Sequence, residues 1–109
     1  MFPSEVKADG NKFLTPCRQA LQFLEGESAE ANYLDAGLCA GFVYGVGELY
    51  RDLQHLTVDL TICIPSEVSR AQFLRVFVAF LDAHPEKLHK DELRLITEAF
   101  LEAWPCGEN

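Results

Sequence analysis

The sequence predicts an all-α fold, a small disulfide-bonded bundle of about four main helices. Apolar residues recur at helical spacing in four segments, whereas no stretch keeps the alternation of a half-buried strand for long. The four cysteines form an even set that can be joined in pairs. A length of 109 residues, of which 49% are hydrophobic, indicates a single domain over residues 1–109.

The first helix is predicted from a stripe of apolar residues at helical spacing: Phe13, Leu14, Cys17, Ala20, Leu21 and Leu24. Residues 9–12 lead into this helix, and we expect Thr15 and Pro16 to cap and open its regular part. Residues 26–30 are typical of the loop that follows. Residues 1–9 are interpreted as a flexible N-terminal remnant that is left after removal of a signal peptide.

The second helix is predicted from another apolar stripe: Leu34, Leu38, Phe42, Val46, Leu49 and Leu53. Gly41 and Gly45 lie one turn apart, where they would let a neighbouring helix approach the backbone closely. Each glycine costs a helix interior about 0.5–1 kcal/mol relative to alanine, so close packing must offset this loss. We expect that packing in the core, with a dimer interface as the alternative.

Two more helices are predicted in the second half of the chain. Pro65 and Ser66 interrupt regular secondary structure before the third helix, and Ser69 with Gln72 forms a capping box. The third helix ends at His84–Pro85 and carries Phe73, Val76, Phe77, Phe80 and Leu81. The fourth ends at Trp104–Pro105 and carries Leu88, Leu95, Ile96, Ala99, Phe100 and Ala103. Residues 57–64 are the only strand-like stretch, and it is short.

The cysteines Cys17, Cys39, Cys63 and Cys106 are predicted to form two disulfides. A hairpin of the first two helices about residue 28 places Cys17 level with Cys39, and a hairpin about Pro85 places Cys63 level with Cys106. The pairs Cys17–Cys39 and Cys63–Cys106 therefore fit best among the three possible connectivities. Two alternatives stay open: four reduced buried thiols, and a zinc site, although the close cysteine spacing of structural zinc sites is missing.

Cysteine pairing and charge bear on compartment and partner. Disulfides persist outside the bacterial cytosol, so we expect an exported, periplasmic protein whose signal peptide is absent from this sequence.

Seventeen acidic against nine basic residues give a net charge of −8. This balance argues against nucleic acid and anionic membrane surfaces as partners, and it suits a basic protein. No stretch approaches the roughly 20 apolar residues of a membrane-spanning helix.

No group of residues in the sequence has the pattern of a reaction centre. A Cys63–His84 nucleophile pair is conceivable, but pairing of all four cysteines would silence it. His84 precedes Pro85 and is better explained by a turn or capping role. We therefore predict that the protein is not an enzyme and has no catalytic residue, bound metal or cofactor.

Five segments of the sequence, residues 10–17, 39–46, 63–65, 80–86 and 103–106, match one family in order. Val68, Gln72 and Val76 continue the match between them. With these segments the chain resembles the Rap/Tai immunity proteins, which neutralise peptidoglycan amidase toxins delivered by type VI secretion. It departs from the family at Phe42, where tyrosine is usual, at Trp104, where phenylalanine is usual, and at Pro16.

The resemblance implies a helical protein, often a homodimer, that occludes the catalytic cleft of a cognate amidase effector and protects the producing cell and its kin. The toxin-binding residues are expected on the surface between the motif residues. Two stretches, 48–59 and 82–90, carry charged groups that would steer a basic cleft. The partner-binding candidates are Glu48, Asp52, His55, Asp59, Asp82, His84, Glu86, Lys87 and His89.

Two other functions stay open on the sequence. One is a small periplasmic acid-stress, chaperone-like or scaffold protein with no toxin partner. The other is a cytosolic adaptor with reduced thiols. An inhibitor would form a discrete complex with one partner, a chaperone would bind many unfolded clients weakly, and an adaptor would show four free thiols.

Overall fold

The first helix starts from a side-chain cap and from contacts with a distant turn. A computed structural model describes residues 9–27, 32–56 and 60–107. In it α1 spans Gly10–Leu24, and the Asp9 carboxylate accepts a hydrogen bond from the Lys12 amide at 3.1 Å. Of the predicted flexible segment 1–9, only Asp9 lies within the described residues, and it belongs to the folded unit.

Pro16 lies inside α1, so the prediction that Thr15 and Pro16 open the helix is wrong. The start is fixed earlier because the Gly10 amide donates to the Lys90 carbonyl at 3.2 Å and the Asn11 amide to the Leu88 carbonyl at 3.1 Å. Together with the Asp9 cap, these contacts offset the one helical hydrogen bond that proline cannot donate.

The second helix, α2, spans Tyr33–Leu53 and is capped by the Asn32 side chain. The predicted apolar stripe coincides with the core face only in part: Phe42 and Val46 pack against the core, but Leu34, Leu38 and Leu49 are 71%, 62% and 57% exposed. The residues that α2 buries are smaller: Ala36, Cys39, Val43 and Gly47. Small side chains occupy this face because α2 packs against both α1 and α3, and the disulfide brings α1 close to it.

The third and fourth helices, α3 (Arg70–Ala83) and α4 (Glu92–Ala103), end before His84–Pro85 and Trp104–Pro105, as predicted. The Ser69 hydroxyl accepts from the Gln72 amide at 3.1 Å. The reciprocal Gln72 bond of a capping box is not found among the described residues. Leu88 is wrongly predicted in α4, because the Asp91 side chain caps that helix and Leu88 lies in the turn after a short 3-10 helix, Pro85–Lys87.

The core is built around α3, which packs against α1, α2 and α4. Its fully buried members include Phe73, Leu74 and Phe77, and α4 adds Leu95, Ile96 and Phe100. The described residues thus form four α-helices and no strand longer than an isolated bridge, which confirms the all-α fold class. In the strand-like stretch, residues 57–59 lie outside the described residues and Ile62 forms a single bridge with Pro105.

Two disulfides close the fold, in the pairs that the hairpin geometry predicts. Cys17–Cys39 joins α1 to α2 with a Cα–Cα distance of 5.3 Å, and Cys63–Cys106 joins the segment before α3 to the segment after α4 at 4.8 Å. None of the four cysteines is free. This arrangement excludes the alternatives of four reduced thiols and a zinc site built on them.

Candidate interaction surface

The predicted partner-binding residues fall into two groups at opposite ends of α3. Glu48 pairs with Arg70, the first residue of α3, and Asp82 in its last turn pairs with Arg18. Twelve residues of helix separate Arg70 from Asp82, which is about 18 Å. The structure therefore does not bring the described part of the first stretch, 48–56, and the stretch 82–90 together into one small site.

In the first group, Glu48 is already neutralised within the chain. Its carboxylate accepts from Arg70 Nε at 3.1 Å and from Arg51 Nη2 at 3.3 Å. The hydrogen bond from Arg70 is the main cause that holds the pKa of Glu48 below its usual value, and Arg51 adds to it. Asp52 and His55 are exposed, whereas Asp59 lies outside the described residues.

In the second group, most charges are also paired within the chain. His84 Nδ1 lies 3.1 Å from a Glu86 carboxylate oxygen, and Lys87 Nζ donates to Glu98 at 3.1 Å. The pKa of Glu86 is lowered first by a hydrogen bond from its own backbone amide and then by His84. His89 is exposed. This turn is therefore ordered by its charges, which weakens their availability to a partner.

The C-terminal end of α2 holds the segment before α3 in place. Arg51 Nη1 donates to the Val68 carbonyl at 2.6 Å, and its guanidinium carbon lies 4.9 Å from the centre of the Phe73 ring. The Gln54 side chain pairs with both the amide and the carbonyl of Ile64, like a neighbouring strand. Neither role can be predicted from the sequence, because each depends on backbone groups that only the folded chain places there.

One side of α2 forms a continuous exposed face that was not predicted from the sequence. We call it the outer face, and its members are Leu34, Gly37, Leu38, Gly41, Gly45, Leu49 and Asp52. They recur at three- and four-residue spacing, so they share one side of the helix. The signal in the sequence was the four-residue spacing of Gly37, Gly41 and Gly45, but this spacing does not distinguish a packed side of a helix from an exposed one.

Gly41 and Gly45 do not pack in the core, and that prediction is wrong. A Cβ atom at Gly37, Gly41 or Gly45 would meet no atom within 4 Å. The glycine of α2 that a neighbour does approach is Gly47, where a Cβ would lie 2.4 Å from the Phe73 ring. The two differ because Gly47 is on the buried side of α2 and Gly41 on the outer face.

The outer face continues into an apolar groove between the end of α1 and the start of α2. The groove has a volume of about 290 Å³ and is lined by Ala20, Phe23, Leu24, Tyr33, Ala36, Gly37, Ala40 and Tyr44. Phe23, Leu24 and Tyr33 are 49%, 45% and 67% exposed. An exposed apolar surface of this kind is typical of protein contacts rather than of solvated helix.

The cysteine of the candidate nucleophile pair has a structural role instead. Cys63 is bonded to Cys106, which excludes the Cys63–His84 nucleophile pair. In residues 9–27, 32–56 and 60–107 no polar side chain is buried and no group of His, Cys, Asp or Glu has the arrangement of a metal site. None of the helices in these ranges combines the length and apolarity needed to cross a bilayer.

Comparison with known proteins gives one match. The model of the family described as Rap1a immunity proteins matches residues 9–106, from the Asp9 cap to the second disulfide. No curated protein and no solved structure matches the chain.

Proposed function

The chain belongs to the Rap1a immunity protein family, and from this premise we propose that it blocks the active-site cleft of a peptidoglycan amidase delivered by type VI secretion. Proteins of an immunity family act by binding a secreted toxin rather than by catalysis. The family match over residues 9–106 is the observation that carries the proposal. By binding, the protein would protect the producing cell and its kin.

The compartment follows from the sulfur chemistry. Two disulfides and the family indicate an exported protein, because the cytosol keeps such pairs reduced. We place it in the periplasm, where an amidase meets its peptidoglycan substrate. Immunity in that compartment protects the cell wall directly.

Charge supports a contact at the C-terminal end of α2. Asp52 and His55 are exposed there and take no part in the ion pairs of the described residues, unlike Glu48. With a net charge of −8, the protein would attract a basic cleft and raise the rate of association. Asp59 belongs to the same predicted stretch and remains a candidate contact.

The apolar part of the outer face, residues 34–49, suits a second copy of the chain. Leu34, Leu38 and Leu49 are exposed, and the glycines between them leave space for a helix to approach. The charged residue beside this part of the face is Glu48, whose carboxylate is paired with Arg51 and Arg70. A homodimer through this face would bury the leucines and leave Asp52 and His55 at its end for the toxin.

The test is inhibition of a papain-like amidase encoded beside the gene. The purified protein should form a discrete complex with the amidase and abolish its hydrolysis of peptidoglycan at equimolar ratio. Asp52→Lys should slow association and flatten its dependence on salt, whereas Glu27→Lys, the same reversal of charge in the turn after α1, should have little effect. Full hydrolysis in the presence of excess protein would overturn the proposal.

The chaperone-like alternative predicts a different binding pattern. Exposed Phe23, Tyr33, Leu34 and Leu38 would then bind many unfolded proteins weakly, most strongly at low pH. Suppression of the aggregation of unrelated unfolded proteins, without a discrete amidase complex, would favour that function.

A further inference from the structure

The two disulfides differ sharply in their access to solvent. Cys17 and Cys39 are 0% and 1% exposed and lie in the core between α1 and α2. Cys63 is exposed and Cys106 half-buried, and both lie in irregular segments outside the helices. Thiol–disulfide exchange begins when a thiolate reaches one sulfur of the bond, so access decides which bond reacts.

We propose that Cys63–Cys106 is a site of thiol–disulfide exchange in the folded protein, whereas Cys17–Cys39 stays closed until the core opens. The co-reactant is a dithiol, either a small reagent or the paired thiols of a thiol–disulfide oxidoreductase. This inference concerns the chain itself and does not depend on the toxin.

The first step takes place at Cys63 because it is the more exposed of the two. A thiolate of the dithiol attacks Cys63 Sγ, a mixed disulfide forms, and Cys106 leaves as a thiolate that takes a proton from water. The second thiolate of the dithiol then attacks the first sulfur of the dithiol, which is bonded to Cys63 in the mixed disulfide, and Cys63 leaves as a thiolate. Two electrons pass to the protein, and the dithiol becomes a disulfide.

Hydrogen bonds hold the same two segments together without the sulfur bond. The Cys63 amide donates to the Trp104 carbonyl at 2.8 Å, and the Cys106 amide donates to the Thr61 carbonyl at 2.9 Å. Gln54 holds Ile64 from the other side, and the Trp104 ring lies 6.1 Å from the Phe73 ring. The reduced protein is therefore expected to keep its helices and its inner disulfide.

Partial reduction of the native protein tests the proposal. The full chain is treated with limiting dithiothreitol, quenched with iodoacetamide and analysed by mass spectrometry of the intact chain and its peptides. A species with two labels, on Cys63 and Cys106, should form at least about tenfold faster than any label on Cys17 or Cys39, because the buried pair reacts only after the core opens. Circular dichroism of this species should show native helix content.

Three results would overturn the proposal. One is labelling of all four cysteines without a two-label intermediate, and another is labelling of Cys17 and Cys39 first. The third is absence of any label until denaturant unfolds the chain. A two-label species that has lost its helices would refute the claim that the hydrogen bonds hold the segments.

Two further measurements separate the solvent access of each disulfide from the stability of the folded chain. The double variant Cys63→Ser, Cys106→Ser keeps Cys17–Cys39 as its one disulfide. Treatment with dithiothreitol and then iodoacetamide should label neither cysteine of this variant as long as circular dichroism shows it folded. In the unaltered chain, glutathione followed by an acid quench should give an adduct on Cys63 in excess over Cys106. Equal adducts on both cysteines would contradict attack at Cys63.

Discussion

At the scale of single residues, Arg51 shows how one side chain can organise a segment without secondary structure. Its side chain is 16% exposed, and besides the Val68 carbonyl it reaches those of Ser66 and Pro65 at 3.3 and 3.4 Å. Carbonyl groups in a segment without regular secondary structure need hydrogen-bond donors, and a guanidinium group supplies several in one plane. Arg51 thus ties α2 to the start of α3.

Replacing Arg51 with leucine should therefore destabilise the protein by about 2–3 kcal/mol, because a charged hydrogen-bond donor and a cation–π contact are lost together. The measurement is the urea midpoint of unfolding. Arg75→Leu is the control, since Arg75 is 51% exposed and only faces Glu25 at 3.6 Å, so its loss should cost under about 1 kcal/mol. Equal shifts would contradict the role of Arg51.

Glu98 makes stability depend on pH. Hydrogen bonds from Lys87 and then Lys90 hold the pKa of Glu98 below its ordinary value of 4.5. A depressed pKa in the folded state contributes stability that is present above the unfolded value and is lost as pH falls through the folded one. The contribution of Glu98 to the free energy of unfolding should be constant from about pH 7 to about pH 5 and should be lost as pH falls further, and Glu98→Gln should remove this part of the drop.

The matched control for this pH effect is Glu102→Gln, which changes an exposed carboxylate of the same helix. No ion pair of Glu102 appears in the described part of the chain. Its pH profile should follow that of the unaltered protein. If the two variants gave the same profile, the lysine contacts of Glu98 would not be the cause.

At the scale of elements, α2 carries glycines with opposite roles on its two sides. Gly47 faces the Phe73 ring, which is fully buried and lies 5.6 Å from the Phe100 ring. Gly41 faces open space on the outer face. The same residue type therefore permits close packing at one position and only weakens the helix at the other.

Alanine substitutions should separate these roles. Gly47→Ala should destabilise the protein by about 1–3 kcal/mol, because the packed ring has no room to move. Gly41→Ala should stabilise the monomer by about 0.5–1 kcal/mol through helix propensity. Thermal unfolding at low protein concentration measures both, and a loss of stability in Gly41→Ala would show that its side of α2 is packed within one chain.

The same variant tests self-association. If a second copy packs on the outer face, Gly41→Ala should weaken the dimer in analytical ultracentrifugation while the monomer becomes more stable. Glu102→Lys, an exposed position on α4, should leave the association unchanged. A protein that stays monomeric at all concentrations would remove the second copy as the occupant of this face.

At the scale of the whole molecule, the two covalent bonds act on different parts of the chain. Cys17–Cys39 closes a 22-residue separation between neighbouring helices, and Cys63–Cys106 closes 43 residues that include α3 and α4. In the chain-entropy model these loops contribute about 3 and about 4 kcal/mol. Equilibrium stability thus follows loop length, whereas the ease of reduction follows burial.

Replacing Cys17 and Cys39 with alanine should cost more than the loop term of about 3 kcal/mol, because both side chains also fill the core. Urea unfolding without reductant measures the loss. The matching change at Cys63 and Cys106 should cost the loop term of about 4 kcal/mol alone, since Cys63 is exposed. A loss below about 2 kcal/mol for the inner pair would contradict its role in the core.

Sequence alone predicts the four helices, the C-terminal ends of the third and fourth, and the cysteine pairs, but it misplaces the starts of α1 and α4. Ser69 and the two X-Pro stops act locally, through a side-chain cap and missing amide donors, so they can be read without tertiary information. The cysteine pairs followed because two hairpins bring each pair level. These properties depend on neighbours in sequence or on the length of chain between two points.

The side of α2 that faces the core, and the charges that remain for a partner, depend on how the helices pack together. Both sides of that helix are apolar, so periodicity alone could not tell Leu34 and Leu38 from Ala36 and Cys39; the close approach of α1 and α3 selects the smaller side chains. Glu48 and Asp82 looked free in the sequence, but arginines distant along the chain neutralise them in the fold. Packing distance and charge pairing arise between elements, and a linear pattern carries neither.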